Sequence, residues 1–438
     1  MGHIRNPKSE IRNEAVRVEV VTIGDEILSG MVVDTNSSMI ADKLLGLGLE
    51  VWRMTSIGDD PQEIQEFLKA VASRSQLAIC TGGLGPTEDD RTAQSAAEAL
   101  GSPLVLHEPS LRAIRDLFQR FGLEMTSNNE RQAWMPRGAE AIPNPIGTAP
   151  GFALNANGCL LVFLPGVPRE LERMLDESVL SLVAQRLPSG RNVLSRILKL
   201  FGLTEAKMDQ MVKGALDGLP EVSLASLPRY PENRLRVTVR AVSREEASRF
   251  LDEAERHLRE RVGAWIYGAD EDELESVVED ALRRTGRTLA VAESCTGGLI
   301  AHRLTSIPGS SDVLDRGFVT YSPAAKEEIL GVPKEILERE GPVSPATVEA
   351  MARGARERAR TSLGLAVTGV AGPAGGTEET PVGTVYLGLA DTTRSWSQRF
   401  LFRGGRANVK TLASAVALDW LRRYLLGEDP ARYPTPWK

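Results

Sequence analysis

The sequence predicts an α/β protein built from three successive blocks of strands and helices. β-branched apolar runs alternate with segments of helical apolar spacing, and glycine-rich turns follow several of those runs. Alternation of this kind is typical of parallel, doubly wound sheets, in which ligands bind beyond the carboxyl ends of the strands. A chain of 438 residues is long enough for about three domains. We place them at residues 16–184, 192–268 and 271–426.

The first block has the clearest alternation and predicts the doubly wound sheet. Its predicted strands are Val16–Ile23, Glu50–Ser56 and Leu77–Thr81, and its predicted helices are Asn36–Leu47, Pro61–Ser75, Ala93–Leu100 and Leu111–Phe121. Glycine-rich turns follow the first and third strands, at Gly24–Glu26 and Thr81–Thr87. We therefore expect both turns to lie at the ligand-binding edge of the sheet.

The second block predicts a small α+β module without a group of polar residues that looks catalytic. Its predicted strands are Val193–Phe201, Val222–Ser226, Arg234–Val242 and Trp265–Tyr267, and its predicted helices are Thr204–Leu216 and Arg244–Val262.

The third block predicts another α/β domain. Its predicted strands are Thr288–Ala292, Gly317–Tyr321, Leu363–Thr368, Thr384–Ala390 and Trp396–Phe402, and its predicted helices are Leu274–Thr285, a segment from Gly298 to Thr305, Val348–Arg360 and Asn408–Tyr424. A glycine loop, Gly369–Gly376, follows the third strand, and the tail Glu428–Lys438 is predicted to be irregular.

Composition favours a cytoplasmic enzyme that acts on small molecules. The net charge of −7 argues against a nucleic-acid partner. The three cysteines are far apart and odd in number, which argues against a disulfide framework. The polar segment Met1–Arg17 lacks the apolar core of a signal peptide. No apolar run approaches the roughly 18 residues of a membrane-spanning helix.

Ser294 lies on a strand-to-helix turn with glycines close after it. Such a turn presents a hydroxyl beside backbone N–H groups, as a nucleophile with an oxyanion hole requires. Lys326 would reach the same sheet edge if the strand Gly317–Tyr321 runs beside Thr288–Ala292, and a desolvated lysine can act as the base. The alternatives are that Ser294 is a helix N-cap, that Lys326 is a solvated surface charge, and that the glycine loop is a plain turn.

The glycine-rich turns of the first block are consistent with a phosphorylated ligand. Gly82, Gly83 and Gly85 allow close approach of the backbone, and Thr81 and Thr87 offer hydroxyls. A further set of carboxylates predicts a site for a hard divalent cation, formed by Asp25, Asp59, Asp89 and Asp90. The alternative is that Asp89 and Asp90 cap the helix that begins near Thr92.

The third block contains a distinctive series of motifs, which are ESCTGG (293–298), GFVTYS followed by Lys326, AVTGVAGPAGG (366–376), PVGTVY (381–386) and a final arginine-led helix. In these motifs it resembles the C-terminal domain of the CinA family, which also occurs alone as a nicotinamide-mononucleotide amidohydrolase. The resemblance implies Ser294 as nucleophile with Lys326 and Tyr321 as its catalytic partners, and no cofactor. It implies a substrate site that includes Glu293, Thr296, Gly297, Gly298, Thr368, Gly369, Gly372 and Arg406. The chain departs from the family at Pro323, where asparagine is usual, and at Gly405, where aspartate is frequent.

The first block resembles the N-terminal domain of the same family, which is similar to the MogA/MoaB molybdopterin-binding fold. The motifs are TGGLGPTEDD, NNERQA (128–133), NPIGTAPGF (144–152) and LPGVP (164–168). The resemblance implies metal-dependent ADP-ribose pyrophosphatase activity, with a divalent metal as cofactor. The second block resembles the KH-like connector of the family, but Gly214 and Gly218 are four apart, so the nucleic-acid-binding GXXG loop is missing.

We therefore expect a two-site enzyme of pyridine-nucleotide salvage with nicotinamide mononucleotide and ADP-ribose as small-molecule partners. We also expect a homodimer, with neither a nucleic acid nor a membrane as partner. Two alternatives stay open. One is a molybdopterin-binding or molybdenum-cofactor protein, and the other is a non-enzymatic regulator linked to competence.

Overall fold

The computed structural model describes residues 16–187 and 192–434. Two predictions fall partly outside the described residues. They concern the N-terminal segment Met1–Arg17 and the tail Glu428–Lys438. The chain forms two compact units, one of residues up to 194 with 240–248, and one of residues 195–239 with those from 249 onward. None of the described helices is long and apolar enough to cross a membrane.

The first unit contains a six-stranded sheet in the order β2-β1-β3-β8-β7-β6 and a separate two-stranded ladder of β4 and β5. The strands are β1 (Val18–Ile23), β2 (Val51–Ile57), β3 (Leu77–Thr81), β4 (Leu104–Leu106), β5 (Trp134–Pro136), β6 (Glu140–Ile142), β7 (Gly151–Ala156) and β8 (Cys159–Leu164). Strands β2, β1, β3 and β8 are parallel, whereas β7 and β6 are antiparallel. The predicted parallel core is present, with an antiparallel edge that the sequence analysis missed.

Helices cover both faces of this sheet. They are α1 (Asp25–Leu28), α2 (Asn36–Gly46), α3 (Pro61–Arg74), α4 (Thr92–Ala99), α5 (Glu108–Arg120), α6 (Ser127–Glu130), α7 (Pro168–Met174), a π-helical turn (Leu175–Val179) and α8 (Leu180–Arg186). All six residues of β1 are buried. Val18 and Val20 pack into one hydrophobic cluster and Val21 and Ile23 into another. Because successive strand residues point to opposite faces, this division shows a sheet buried on both sides.

The connector is a four-stranded sheet in the order β10-β11-β9-β12 with two helices. Its elements are β9 (Asn192–Leu200), α9 (Glu205–Val212), β10 (Val222–Arg229), β11 (Glu232–Ala241), α10 (Arg244–Val262) and β12 (Ile266–Ala269). β10 pairs with β11 antiparallel, and so does β12 with β9. These elements match the predicted small α+β module.

The C-terminal domain is built on a five-stranded sheet in the order β14-β13-β15-β16-β17. Its strands are β13 (Leu289–Glu293), β14 (Leu314–Val319), β15 (Leu363–Gly369), β16 (Thr384–Ala390) and β17 (Ser395–Leu401), and its helices are α11 (Leu274–Thr285), α12 (Leu299–Thr305), α13 (Pro323–Leu330), α14 (Lys334–Glu340), α15 (Pro345–Ala359) and α16 (Arg406–Leu425). β13 is parallel to both of its neighbours, and β15, β16 and β17 are antiparallel. The parallel part brings the ends of β13, β14 and β15 to one edge.

The connector and the C-terminal domain share one hydrophobic core. Phe201 follows β9 and Tyr267 lies on β12, and both are buried in the same cluster as Leu274 and Val278 of α11. The side chain of Arg423 on α16 also donates a 2.7 Å hydrogen bond to the carbonyl of Ala264 in the connector. Burial of this kind joins the two modules by hydrophobic packing as well as by the chain itself.

Candidate functional site

The strand register brings the predicted catalytic residues to one edge of the C-terminal sheet. Glu293 at the end of β13 is paired with Val319 of β14 and with Val367 of β15. Carboxyl ends of neighbouring parallel strands meet at the same edge, where loops form ligand sites. The prediction that β14 runs beside β13 is confirmed, although the strand ends at Val319, two residues before Tyr321.

Ser294 and Lys326 are in direct contact. Lys326 Nζ lies 3.1 Å from Ser294 Oγ and 2.8 Å from the carbonyl oxygen of Thr320. Lys326 is only 1% exposed and Ser294 only 7%. Burial lowers the pKa of Lys326 to about 8, because desolvation disfavours the charged ammonium. The lysine is therefore not a solvated surface charge.

Ser294 is also not a helix cap. The residue that precedes α12 is Gly298, which has no side chain to cap the helix, and the amides of Ile300 and Ala301 donate to the carboxylate of Glu293. The hydroxyl of Ser294 is left to contact Lys326 and the cleft above it. The structure therefore does not show Ser294 as a cap of α12, and its role as nucleophile stays a prediction.

Pro323 does not displace Lys326. It occupies the first position of α13, where its missing N–H has no intrahelical acceptor in any case. Ser322 caps the helix by accepting a hydrogen bond from the Ala325 amide at 3.1 Å. One turn of helix then carries Lys326 inward to Ser294.

A cleft of about 250 Å³ opens over the Ser294–Lys326 pair. Seven residues that we predict to be catalytic or substrate-binding line this cleft: Ser294, Lys326, Tyr321, Thr368, Gly369, Gly372 and Arg406. It also contains residues that the sequence analysis missed, among them Cys295, Pro342 and Val343. Thr368 donates its hydroxyl hydrogen to the carbonyl oxygen of Pro342 at 2.8 Å, so it ties two walls of the cleft together.

Arg406 and Tyr321 meet at the mouth of this cleft. One guanidinium nitrogen of Arg406 donates to Tyr321 Oη at 2.5 Å, and the other donates to the carbonyl of Gly372 at 2.9 Å. Tyr321 is 58% exposed and has no hydrogen bond to Ser294 or Lys326 among the residues that the structure describes. Tyr321 therefore orients Arg406, rather than the serine–lysine pair as we predict from the resemblance.

Four predicted substrate residues lie outside the lining of the cleft: Glu293, Thr296, Gly297 and Gly298. The carboxylate of Glu293 is buried and accepts hydrogen bonds from helix amides, and the Thr296 side chain is fully buried. Gly297 and Gly298 adopt positive φ angles of 61° and 92°, which favour glycine because a Cβ would be strained there. These residues shape the turn that follows the nucleophile instead of presenting side chains to a ligand.

The glycine-rich turn of the first unit is packed closely against its own surroundings. Gly82 has a φ of 112°, and a Cβ on it would lie 2.0 Å from the carbonyl oxygen of Ile23. A Cβ on Gly83 would lie 2.2 Å from Thr92 Oγ1, and one on Gly85 would lie 2.5 Å from Asp90 Oδ2. Gly82 is thus required by the neighbouring backbone and Gly83 is favoured by its φ of 64°, whereas at Gly85 the nearest group is the movable carboxylate of Asp90.

The polar side chains of this turn are also engaged. Thr81 Oγ1 donates to the carbonyl of Pro165 at 2.9 Å, and it accepts from the side chain of Asn36 at 3.2 Å. Thr87 donates to Asp90 Oδ2 through both its amide and its hydroxyl, at 2.8 and 2.6 Å. The hydroxyls predicted to bind phosphate are therefore partnered within the protein.

Two of the four predicted metal ligands are held together. The Asp25 amide donates to Asp59 at 2.9 Å, and the Asp59 amide donates to Asp25 at 3.2 Å. The pKa of Asp59 is raised by burial, and further by the nearby charges of Asp25, Glu26 and Asp89. Within residues 16–187 and 192–434, however, no group of three or more Asp, Glu, His or Cys residues is arranged to hold a metal ion.

Asp90 does not cap α4. Its carboxylate is bonded to Thr87, and α4 begins at Thr92 after Arg91 without a side-chain cap. Both sequence readings of Asp90, as metal ligand and as helix cap, lack support in the geometry. Its observed role is to close the turn Thr87–Asp90.

Family models match three consecutive parts of the chain. The probable molybdopterin binding domain matches residues 19–185, the damage-inducible protein CinA KH domain matches 195–268, and the CinA C-terminal domain matches 271–425. A CinA-like protein of Geobacter sulfurreducens is 45% identical over 94% of this chain and 100% of its own. A CinA-like protein of Geotalea uraniireducens is 41% identical over 94% of this chain and 98% of its own. The chain belongs to the CinA family.

Solved structures related to this CinA protein include the competence/damage inducible protein CihA from Agrobacterium tumefaciens. It is 41% identical, covers 35% of this chain and 93% of its own, and has a TM-score of 0.34. The family models confirm the predicted order of a MoaB/MogA-like N-terminal domain, a KH-like connector and a CinA C-terminal domain.

Two residues near the candidate sites of this CinA protein escaped the sequence analysis. Lys410 lies on α16 one turn after Arg406, and its Nζ is 3.6 Å from the position that a Cβ on Gly297 would occupy. Asn36 donates to Thr81 and to the carbonyl of Gly166, which links α2 to two loops at the sheet edge. The i, i+4 spacing of Arg406 and Lys410 is a signal that places both on one helix face.

Proposed function

We propose that the C-terminal domain is a serine amidohydrolase that deamidates nicotinamide mononucleotide to nicotinate mononucleotide and ammonia. The contact between Ser294 Oγ and Lys326 Nζ, at 3.1 Å in a buried cleft, carries the proposal. A lysine with a pKa of about 8 is partly neutral at physiological pH. In that form its lone pair can accept the serine proton, which is the requirement for a general base.

The reaction follows from the placement of these groups. Lys326 takes the proton of Ser294 as Oγ attacks the carboxamide carbon. The carbonyl oxygen becomes an oxyanion, which backbone N–H groups after Ser294 stabilise. As the C–N bond breaks, Lys326 returns the proton to the departing ammonia. A water molecule then attacks the acyl-serine ester, giving the carboxylic acid and free Ser294 hydroxyl.

Two cations at the start of α16 support a phosphorylated substrate. Arg406 lies at the cleft mouth, and Lys410 approaches the turn after the nucleophile. Neither has an ion pair with a carboxylate among the described residues, so their charge is available to a substrate anion. Arg406 can bind a phosphate by donating to its oxygens the hydrogen bonds that it now donates to Tyr321 and Gly372.

Ammonia release from nicotinamide mononucleotide by the purified protein tests the proposal. We expect release by the wild type and its loss in Ser294→Ala, because the variant has no nucleophile. Ser306→Ala is the matched control, since Ser306 is exposed at the end of α12 and donates only to the His302 carbonyl. Near-normal release by Ser294→Ala would contradict the mechanism.

We propose a second activity for the N-terminal domain, which is cleavage of the pyrophosphate linkage of ADP-ribose. The observation in its favour is the pKa of Asp59, which is raised first by burial and then by the nearby charges of Asp25, Glu26 and Asp89, because a cation would relieve the repulsion among these carboxylates. Asp25 and Asp59 would supply oxygen ligands, and a divalent cation would polarise the pyrophosphate. Release of AMP that depends on added Mg²⁺ or Mn²⁺ tests this activity, whereas copurification of molybdopterin would favour a binding role for the same domain.

A further inference from the structure

The residue directly before the nucleophile has a buried carboxylate that the proposed reaction does not use. Glu293 is 1% exposed and lies at the end of β13. Its Oε2 accepts hydrogen bonds from the amides of Gly298 and Ile300 at 3.0 and 3.1 Å, and its Oε1 accepts one from the amide of Ala301 at 2.8 Å. One carboxylate thus satisfies three of the amides that the start of α12 leaves without an acceptor.

We call residues Ser294–Gly298 the nucleophile turn. Three of its backbone N–H groups donate to acceptors within the protein. The Ser294 amide donates to the Val367 carbonyl at 3.0 Å, and the Gly297 amide donates to the Ser294 carbonyl at 3.1 Å. The Gly298 amide donates to Glu293. Among the described residues, the amides of Cys295 and Thr296 have no acceptor. Buried amides are almost always paired, so two free amides beside a serine hydroxyl indicate an acceptor that arrives with the substrate.

We propose that Glu293 is a positioning residue that fixes the nucleophile turn so that the amides of Cys295 and Thr296 form the oxyanion hole. This inference depends on the proposed function for its substrate. The carboxylate joins the end of β13 to the first turn of α12, so the segment between them is held at both ends. Cys295 also lines the cleft. Glycines at 297 and 298 let the chain close this short loop with positive φ angles.

The first test compares steady-state kinetics of the wild type and Glu293→Gln with nicotinamide mononucleotide. The amide keeps the shape of the side chain but replaces one acceptor oxygen with a donor, so at least one helix amide loses its partner. We expect kcat to fall by about 100-fold, as for loss of one oxyanion donor, with KM changed less than about threefold and the pH midpoint unchanged. An unchanged kcat in folded Glu293→Gln would overturn the proposal.

The matched control is Asp60→Ala in the other unit of the chain. Asp60 caps α3 by accepting from the amides of Gln62 and Glu63, both at 2.9 Å. This change removes a comparable helix cap far from the amidase chemistry in sequence. We expect thermal stability to fall in both variants and kcat for ammonia release to fall only in Glu293→Gln.

The second test separates positioning from direct substrate contact. Binding of nicotinamide mononucleotide is measured by calorimetry to Ser294→Ala and to the double variant Ser294→Ala/Glu293→Gln. A positioning role predicts affinities within about threefold of each other, because the ground-state amide makes little use of the oxyanion hole. A loss of binding in the double variant would show that Glu293 contacts the substrate and would overturn the proposal.

A third measurement separates failure of this inference from failure of the proposed function. A fluorophosphonate probe reacts with an activated serine and places its own oxyanion in the hole, whatever the natural substrate. We expect Ser294 to be labelled in the wild type and about 100-fold more slowly in Glu293→Gln. Labelling without turnover of nicotinamide mononucleotide would reject the substrate but keep the role of Glu293. Equal labelling rates in the wild type and Glu293→Gln would overturn that role. If Glu293→Gln does not fold, Glu293→Asp replaces it, because aspartate keeps the charge on a shorter side chain.

Discussion

The turns Ser294–Gly298 and Thr81–Thr87 both follow buried parallel strands, yet their polar groups are used differently. In the C-terminal domain, Ser294 faces a buried lysine at 3.1 Å and two nearby amides have no acceptor. In the N-terminal domain, Thr81 is bonded to Pro165 and Thr87 to Asp90. Polar groups without protein partners are available to a substrate, and this is why we propose covalent chemistry at the first turn. The polar groups of the second turn are bonded within the protein.

The largest effect that this comparison predicts is the loss of the base. In Lys326→Met the side chain keeps its length and apolar stem but cannot accept the serine proton. We expect kcat/KM for ammonia release to fall by about 1,000-fold or more, within the range for removal of a general base. Lys334→Met is the control, because Lys334 is exposed and, within the part of the chain that the structure describes, forms an ion pair only with Glu338. A modest loss in Lys326→Met would show that another group activates Ser294.

The pH dependence of the amidase should report the same lysine. Only the neutral amine accepts a proton, and burial lowers the pKa of Lys326 to about 8. Activity should therefore rise with pH through a midpoint near 8, and fall about tenfold per pH unit on the acid side. Values of kcat measured from pH 6 to 10 with saturating substrate check this expectation. A midpoint near that of a free carboxylate would point to a different base.

The N-terminal domain gives a prediction that contrasts Asp59 and Asp90, because the two aspartates have different proposed roles. Asp59→Asn removes a carboxylate beside Asp25 and should weaken metal-dependent ADP-ribose cleavage by at least about tenfold. Asp90→Asn alters the hydrogen bonds to Thr87 and should act mainly through stability. AMP release as a function of Mn²⁺ concentration measures the first effect, and thermal melting measures the second. Equal metal dependence in both variants would contradict the division.

The smallest expected effect is that of Tyr321→Phe. The hydroxyl of Tyr321 bonds to Arg406 and not to the serine–lysine pair. Loss of one such hydrogen bond should raise KM by less than about tenfold and leave the pH midpoint of kcat unchanged. If the midpoint moved instead, Tyr321 would orient the pair directly, as the sequence resemblance implies.

The sequence predicts the first three strands of the N-terminal sheet well and misses β7 and β8, which are joined by a hairpin rather than by a helix. β1, β2 and β3 follow β-branched runs, and each is found within two residues of its predicted bounds. β8 consists of six buried residues, and a run of that kind has no periodicity that separates strand from helix. The missed signal is Asn157-Gly158, whose φ angles of 53° and 84° form the tight hairpin between β7 and β8.

The site is predictable to the level of residue identity but not of side-chain direction. Ser294 and Lys326 are brought together by strand order and helix phase, which the sequence pattern indicates. The partners of Glu293 and Tyr321 depend on which amides α12 leaves open and on where Arg406 extends from α16. Those facts arise only when three separate segments are packed together, and no spacing within one segment reveals them.

The burial of Phe201 and Tyr267 among residues of α11 affects how this protein comes apart. A protein module that recurs in evolution need not coincide with a cooperative unit of unfolding. Here the boundary between the second and third modules is crossed by a continuous core, so heat or denaturant should melt the connector and the amidase domain in one transition. A destabilising substitution in the connector would then also destabilise the C-terminal domain, without a change in any residue of its cleft.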